Sequence, residues 1–296
     1  MGFFISLFSV HGMACDACGC INGPMGLGIL QGSKSAFVSL RYKYTSATYK
    51  SNPNAWIFKE VDSKTGIHYT DLSLRLRPHD KILVSFSVPF VISQKVSESQ
   101  VNRLAGPGDI NTIVQFIAYE SKAKPMKFDT HRLIIGAGLK IPSGKFNKNS
   151  NAQFIRSIQS GTGSFDFPIT MNYFGNYKKW SWLAESFTKW NTTNPNGYRQ
   201  GISFQNQISA LYTIRLKNVS IIPALGLQHF YVRKDTDKKR TQNTTGINMM
   251  SSVIQCNLQF FSVNLNIGAD IPFLQKNKSG NQNLKPSLSF QISYLI

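Results

Sequence analysis

The sequence contains no apolar run approaching the roughly 18 to 20 residues that a transmembrane helix needs. That excludes a helical membrane protein but not a β-barrel, whose strands need only about 9 to 11 residues each. Charge is scarce: Asp, Glu, Lys and Arg make up 16% of the 296 residues, against roughly 25% in an ordinary soluble domain. Acid is the scarcer sign, and the formal net charge is +19. The basic residues sit mainly in hydrophilic connecting stretches such as "RKDTDKKR" (Arg233 to Arg240) and "GKFNKNSN" (Gly144 to Asn151). No recognition helix, RNA-binding motif or zinc-finger spacing accompanies them, so nucleic acid is not the expected partner. Anionic lipopolysaccharide outside, or an anionic solute inside, accounts for the charge as well. Helical periodicity as strong as the strand alternation described next is also missing.

Strict apolar/polar alternation is present instead, the mark of strands with two different environments on their faces. Leu288, Phe290, Ile292, Tyr294 and Ile296 alternate with Ser287, Ser289, Gln291 and Ser293. Val38, Leu40, Tyr42 and Tyr44 alternate with Ser39, Arg41, Lys43 and Thr45. The pattern predicts twelve strands, near 36–46, 66–77, 81–93, 108–120, 130–142, 162–174, 177–190, 203–216, 218–233, 247–260, 261–272 and 285–296. Short connections such as "RPHD", "FGNY" and "LKNV" alternate with long polar ones at 47–65, 94–107, 143–161, 191–202, 234–246 and 273–284. An even strand count with that alternation predicts an all-β, single up-and-down antiparallel transmembrane barrel, its short turns and both termini periplasmic. Aromatic residues cluster at the short turns (Tyr173, Phe174, Tyr177, Trp180, Trp182, Phe260, Phe261, Tyr294), where an interfacial girdle belongs.

If the apolar face meets lipid, the other lines a lumen. Its predicted charges are Arg41, Lys43, Asp71, Arg75, Arg77, Lys140, Asp166, Glu185, Arg215 and Asp270. A ladder of Arg would favour anion passage, because a low-dielectric wall focuses the field into the pore; the competing reading is that these Arg and Asp pair across the lumen and hold the strands in register. The stretches "GPGDINTIVQF" (Gly106 to Phe116), "HRLIIGAGLKIPSGKFN" (His131 to Asn147) and "GTGSFDFPITMNY" (Gly161 to Tyr173) resemble outer-membrane transporter-type barrels. They are similar to the phenol meta-pathway group and, more distantly, to the long-chain fatty-acid transporter superfamily; the opening "CDACGC" resembles the mature start of Bacteroidetes members of that group. The resemblance implies a Gram-negative outer membrane and passive movement of small, often hydrophobic solutes. The expected partners are outer-membrane lipid and lipopolysaccharide, a small-molecule solute and, if the lumen is filled, another envelope protein. The "GPGD" residues read as turn chemistry rather than as a ligand site.

Catalysis is not expected: of five histidines, His68 and His229 fall near strand ends close to long loops, but neither has a serine in a distinctive nucleophile motif beside it, and Asp71 near His68 is the one neighbour pair an acid–base reading could use. Residues 1–14, "MGFFISLFSVHGMA", read as a signal peptide with cleavage after Ala14, although the positive n-region is missing. Residues 15–34 read as a Cys/Gly-rich lead-in or plug, and 35–296 as the barrel. Cys15, Cys18 and Cys20 leave three chemistries open: lipidation of Cys15, a disulfide from Cys15 to Cys18 or Cys20 in an oxidising periplasm, or a soft metal ion such as Cu(I) or Zn. No other cofactor is expected.

Overall fold

The computed structural model describes residues 35–49, 62–97, 101–121, 129–146, 159–243, 245–277 and 282–296. The signal-peptide stretch, the lead-in or plug and its three cysteines lie outside the described residues. In chain order the strands are β1 (Phe37–Tyr49), β2 (Ser63–His79), β3 (Ile82–Ser97), β4 (Val101–Pro107), β5 (Ile110–Glu120), β6 (Asp129–Ile141), β7 (Asp166–Tyr177), β8 (Trp180–Asn191) and β9 (Tyr198–Arg199). There follow β10 (Ser203–Tyr212), β11 (Ile214–Arg215), β12 (Val219–Val232), β13 (Thr236–Asp237), β14 (Arg240–Thr241), β15 (Ile247–Phe260), β16 (Val263–Asn277), β17 (Gln282–Leu284) and β18 (Ser287–Leu295).

Twelve of these are full staves, in the order β10-β8-β7-β6-β5-β3-β2-β1-β18-β16-β15-β12, and pairing of β12 with β10 closes the ring. Every pairing between them is antiparallel, as sequential hairpins require. Two staves are interrupted. β4 and β5 both lie against β3, broken at Gly108 and Asp109, and β17 and β18 both lie against β1, broken at Lys285 and Pro286.

The alternation fixes which way each side chain points. Outward residues are apolar and exposed, with Ile208 at 61% and Leu225 at 63%, while the inward Asn257 and Gln291 are fully buried. An apolar outside around a polar inside inverts a soluble core and suits a closed sheet in lipid, where every backbone group finds its partner within the ladder. At the short-turn end, Trp180 and Tyr212 meet edge-on at 4.9 Å, and Nδ1 of His131 hydrogen-bonds the Tyr173 hydroxyl at 2.8 Å. At the other end Tyr42 and Tyr44 flank His68 on the outer wall. These two aromatic levels bound the lipid-facing band.

Two of the short turns are tight enough to force a left-handed residue, Lys178 (φ 55°) and Phe261 (φ 49°), a conformation hairpin turns use to match strand twist. At the long-loop end the strands run further than the sequence predicts. Of residues 94–107, expected as a polar loop, 94–97 continue β3 and 101–107 return as β4, with Gln94 opposite Arg103 and Val96 opposite Val101. β2 begins at Ser63 and β16 reaches Asn277 for the same reason. Beyond the lipid both faces of a strand can be polar, so alternation fades while the ladder continues. Above Asp270 and Ser287 the ladder between β16 and its neighbour stops at Pro272, which has no N–H to give. The Gln275 side chain replaces it, donating to the Leu284 carbonyl at 2.7 Å and accepting from the Leu284 N–H at 2.8 Å.

Candidate functional site

The barrel interior is layered. At the long-loop end, inward residues of the staves from β3 round to β12 form an apolar collar of Ala47, Ile67, Tyr69, Val91, Phe230, Val232, Ile247, Met249 and Leu284. At the short-turn end lie smaller apolar clusters, Leu183, Leu211, Ile222 and Ala224 on one side and Leu83, Ile117 and Ile134 on another. Between them runs a belt of buried polar side chains that includes Arg41, Asp71, Arg75, Gln115, Asn172, Glu185, Gln207, Gln255, Asn257, Asn266 and Gln291. A small recess sits where collar meets belt, lined by Thr45, Gln228, Met249, Ser251, Asp270 and Leu284 among others.

Two luminal cations meet carboxylates. Arg41 lies 3.5 Å from the Asp71 carboxylate, which also accepts from the hydroxyls of Ser73 (2.7 Å) and Ser87. Lys43 bonds Asp270 at 2.7 Å, and Ser287 donates to the same carboxylate oxygen at 3.0 Å. Arg75 stacks over the Phe37 ring at 4.9 Å, donates to Ser85 at 3.2 Å and reaches Gln115 at 3.3 Å. Gln115 in turn donates to Thr170 across the intervening Gly136 (3.4 Å). A Cβ on Gly136 would stand 2.6 Å from Gln115 and 2.8 Å from Thr170, so glycine is what lets this bridge pass.

Two residues expected in the lumen are elsewhere. Arg77 lies past the last inward turn of β2, where Pro78 and a register shift end the alternation, and it pairs with Asp80 beside the turn. Arg215 is exposed, because β10 stops at Tyr212 and the chain turns off to pair as β11 with the start of β12. Lys140 and Asp166 point inward but belong to a buried ion cluster at the long-loop end rather than to the belt. There the Lys140 ammonium sits 2.7 Å from Asp109 and 2.6 Å from Asp166, and also bonds Thr162. Asp109 further accepts from the Gly144 N–H (3.0 Å), the Thr162 N–H (3.0 Å) and the Thr162 hydroxyl (2.7 Å). Asp166 accepts from the Ser164 hydroxyl and the Thr192 N–H. The three motif stretches quoted above thus converge on one knot that ties loops to staves. Gly144 and Gly161 pack backbone to backbone within it, a Cβ on Gly161 falling 2.5 Å from the Gly144 carbonyl carbon.

The histidines are dispersed. His68 points outward and Asp71 inward, so the neighbour pair lies on opposite faces of the wall. His229 bonds Asn248 on the outer wall at 2.8 Å. Cys256 faces outward on β15 and carries no disulfide, and no cluster of three potential metal ligands occurs among the described residues.

Comparison with known proteins fits this geometry. The barrel superposes on an outer-membrane channel of the COG4313 group from Pseudomonas putida F1 with a TM-score of 0.65, at 14% identity, over 88% of this chain and 96% of that one. It also matches the β domain of the Bordetella autotransporter BrkA with a TM-score of 0.52, at 8% identity, over 88% of this chain and all of that one. At such identities these likenesses speak to the fold alone, an outer-membrane β-barrel. No curated protein sequence matches the chain. The family model described as "Putative MetA-pathway of phenol degradation" matches residues 48–284, and the chain therefore belongs to that family of outer-membrane barrels.

Proposed function

We propose that this barrel is a passive outer-membrane channel for small solutes with an apolar body, and that it is not an enzyme. The carrying observation is the collar. Nine buried apolar side chains line one arc of the long-loop half of the lumen, beside buried polar ones such as Ser93, Lys95 and Gln205, and lead down to the polar belt. That sequence of surfaces removes an apolar solute from water before it meets polar groups. The pairing of Arg41 with Asp71 and of Lys43 with Asp270 favours apolar over anionic cargo, since neutralised charges focus little field. The family description ties its members to phenol degradation, so small aromatics are the first solutes to test.

In this reading the short turns and both termini face the periplasm and the long loops face outward. The exposed Lys238, Lys239 and Arg240 of the β13–β14 hairpin then meet lipopolysaccharide phosphates. A second reading, a structural or partner-binding barrel, draws on the burial of the belt, where Arg41, Asp71, Arg75 and Gln291 are 5% exposed or less. Toluene and phenol uptake into proteoliposomes separates the two. Phe230→Gln, which places an amide in the collar, should lower toluene uptake several-fold while the barrel still folds; no uptake by the parent protein above empty vesicles favours the structural reading.

A further inference from the structure

One luminal charge is treated unlike the rest. Glu185 points inward from the middle of β8 and is 3% exposed. Neither of its carboxyl oxygens accepts a hydrogen bond. The carboxylates of Asp71, Asp270, Asp109 and Asp166 each accept two or more bonds or ion contacts. Its register partners are Asn172 on β7 and Gln207 on β10, both buried amides. Gln207 turns its own N–H group to Ser209 at 3.0 Å, leaving Glu185 unserved. Along β8 the neighbouring inward residues are the buried Phe187 and Leu183. Arg75 lies five staves round the ring, tied to Ser85 and Gln115 on its own side.

A buried carboxyl without donors is costly, because it forgoes the hydrogen bonds that water would supply. A donor supplied from the lumen would offset that cost. We propose that Glu185, between Phe187 and Leu183 on the lumen face of β8, is a solute-binding station that accepts a hydrogen bond from the O–H or N–H group of a small solute whose apolar body rests on the flanking Phe and Leu. This rests on the channel reading above and narrows it: the cargo is amphiphilic, carrying one donor group on an apolar frame. The apolar collar admits the body, and the belt reads the head.

Three probes of nearly equal size test the station: benzyl alcohol, a neutral donor; benzylammonium, a cationic donor; and toluene, which has none. Each is measured for retention by the full-length purified protein in detergent and for uptake into proteoliposomes, with the parent protein, Glu185→Gln and Glu185→Leu, each checked for folding by heat-modified gel mobility. A hydrogen bond to a charged group is worth about 1.5 to 3 kcal/mol, so Glu185→Leu should weaken retention of a donor probe by about tenfold or more. Toluene retention should stay within about twofold. Loss confined to benzylammonium assigns a cationic head, and loss shared by benzyl alcohol assigns a neutral one. Equal change for all three probes, or none for any, overturns the station. Glu185-dependent retention with no uptake of any probe by the parent protein would keep the station and overturn the channel; uptake indifferent to Glu185 would do the reverse.

Discussion

Asp109→Ala removes the acceptor at the centre of the long-loop knot, and its consequence can be worked from the contacts. The variant leaves the Gly144 and Thr162 N–H groups without their carboxylate partner, and leaves Lys140 with Asp166 and the Thr162 hydroxyl. Asp109 is 5% exposed and Lys140 equally so, which makes this a buried ion pair. Breaking one by removing a single partner costs about 3 to 5 kcal/mol. Part of that appears as global destabilisation and part as local opening of the loops after β6 and before β7. If the local part is only about 3 kcal/mol, exchange of the Gly144 and Thr162 amides should speed by about 150-fold. Amides in the β12–β15 ladder, across the barrel, should change little. Hydrogen exchange followed by mass spectrometry on the refolded protein, with Asp109→Asn as a milder companion, reads this directly. Unchanged protection at Gly144 and Thr162 in both variants would refute the claim that Asp109 holds these loops.

The barrel was largely legible in the sequence, and the reason is the inverted wall. Each membrane-spanning strand must show lipid one face and the lumen the other, so Leu288 to Ile296 or Val38 to Tyr44 can alternate in one way only, and a one-residue slip would put Gln291 into lipid. All twelve expected strands correspond to staves. The parts beyond the lipid were not legible. Residues 94–107 have no apolar face to keep, so their strands carry no period-two signal. The collar was hidden by a change of phase: Ile67 and Tyr69 are apolar at odd positions of a strand whose lipid-facing Leu72, Leu74 and Leu76 are even. They break the alternation and mark the start of the apolar collar. Arg77 and Arg215 went astray where strands end, since periodicity gives the direction of a side chain but not the residue at which a strand stops. The knot of Asp109, Lys140, Thr162 and Asp166 joins residues up to 57 apart in sequence, and no local pattern announces such a meeting.

Two further expectations follow from the same placements. With native cysteines replaced by serine, Arg77→Cys and Arg215→Cys should react readily with a membrane-impermeant maleimide, and Arg41→Cys and Arg75→Cys at least about tenfold more slowly because burial limits access to the thiol; equal rates would remove the distinction between lumen and rim. Leu225→Arg places a cation on the middle of a lipid-facing stave and should lower stability in bilayers by about 2 to 4 kcal/mol, measured by reversible denaturant titration; a neutral outcome would mean that this face does not meet lipid.

The most direct test of the central claim is to record ion conductance and toluene flux on the same preparation of parent protein in lipid bilayers and vesicles. A lumen with an apolar collar and paired Arg41–Asp71 and Lys43–Asp270 charges predicts toluene or phenol uptake well above that of empty vesicles, together with little steady ion current. Large, stable ion currents with no acceleration of aromatic uptake would contradict it.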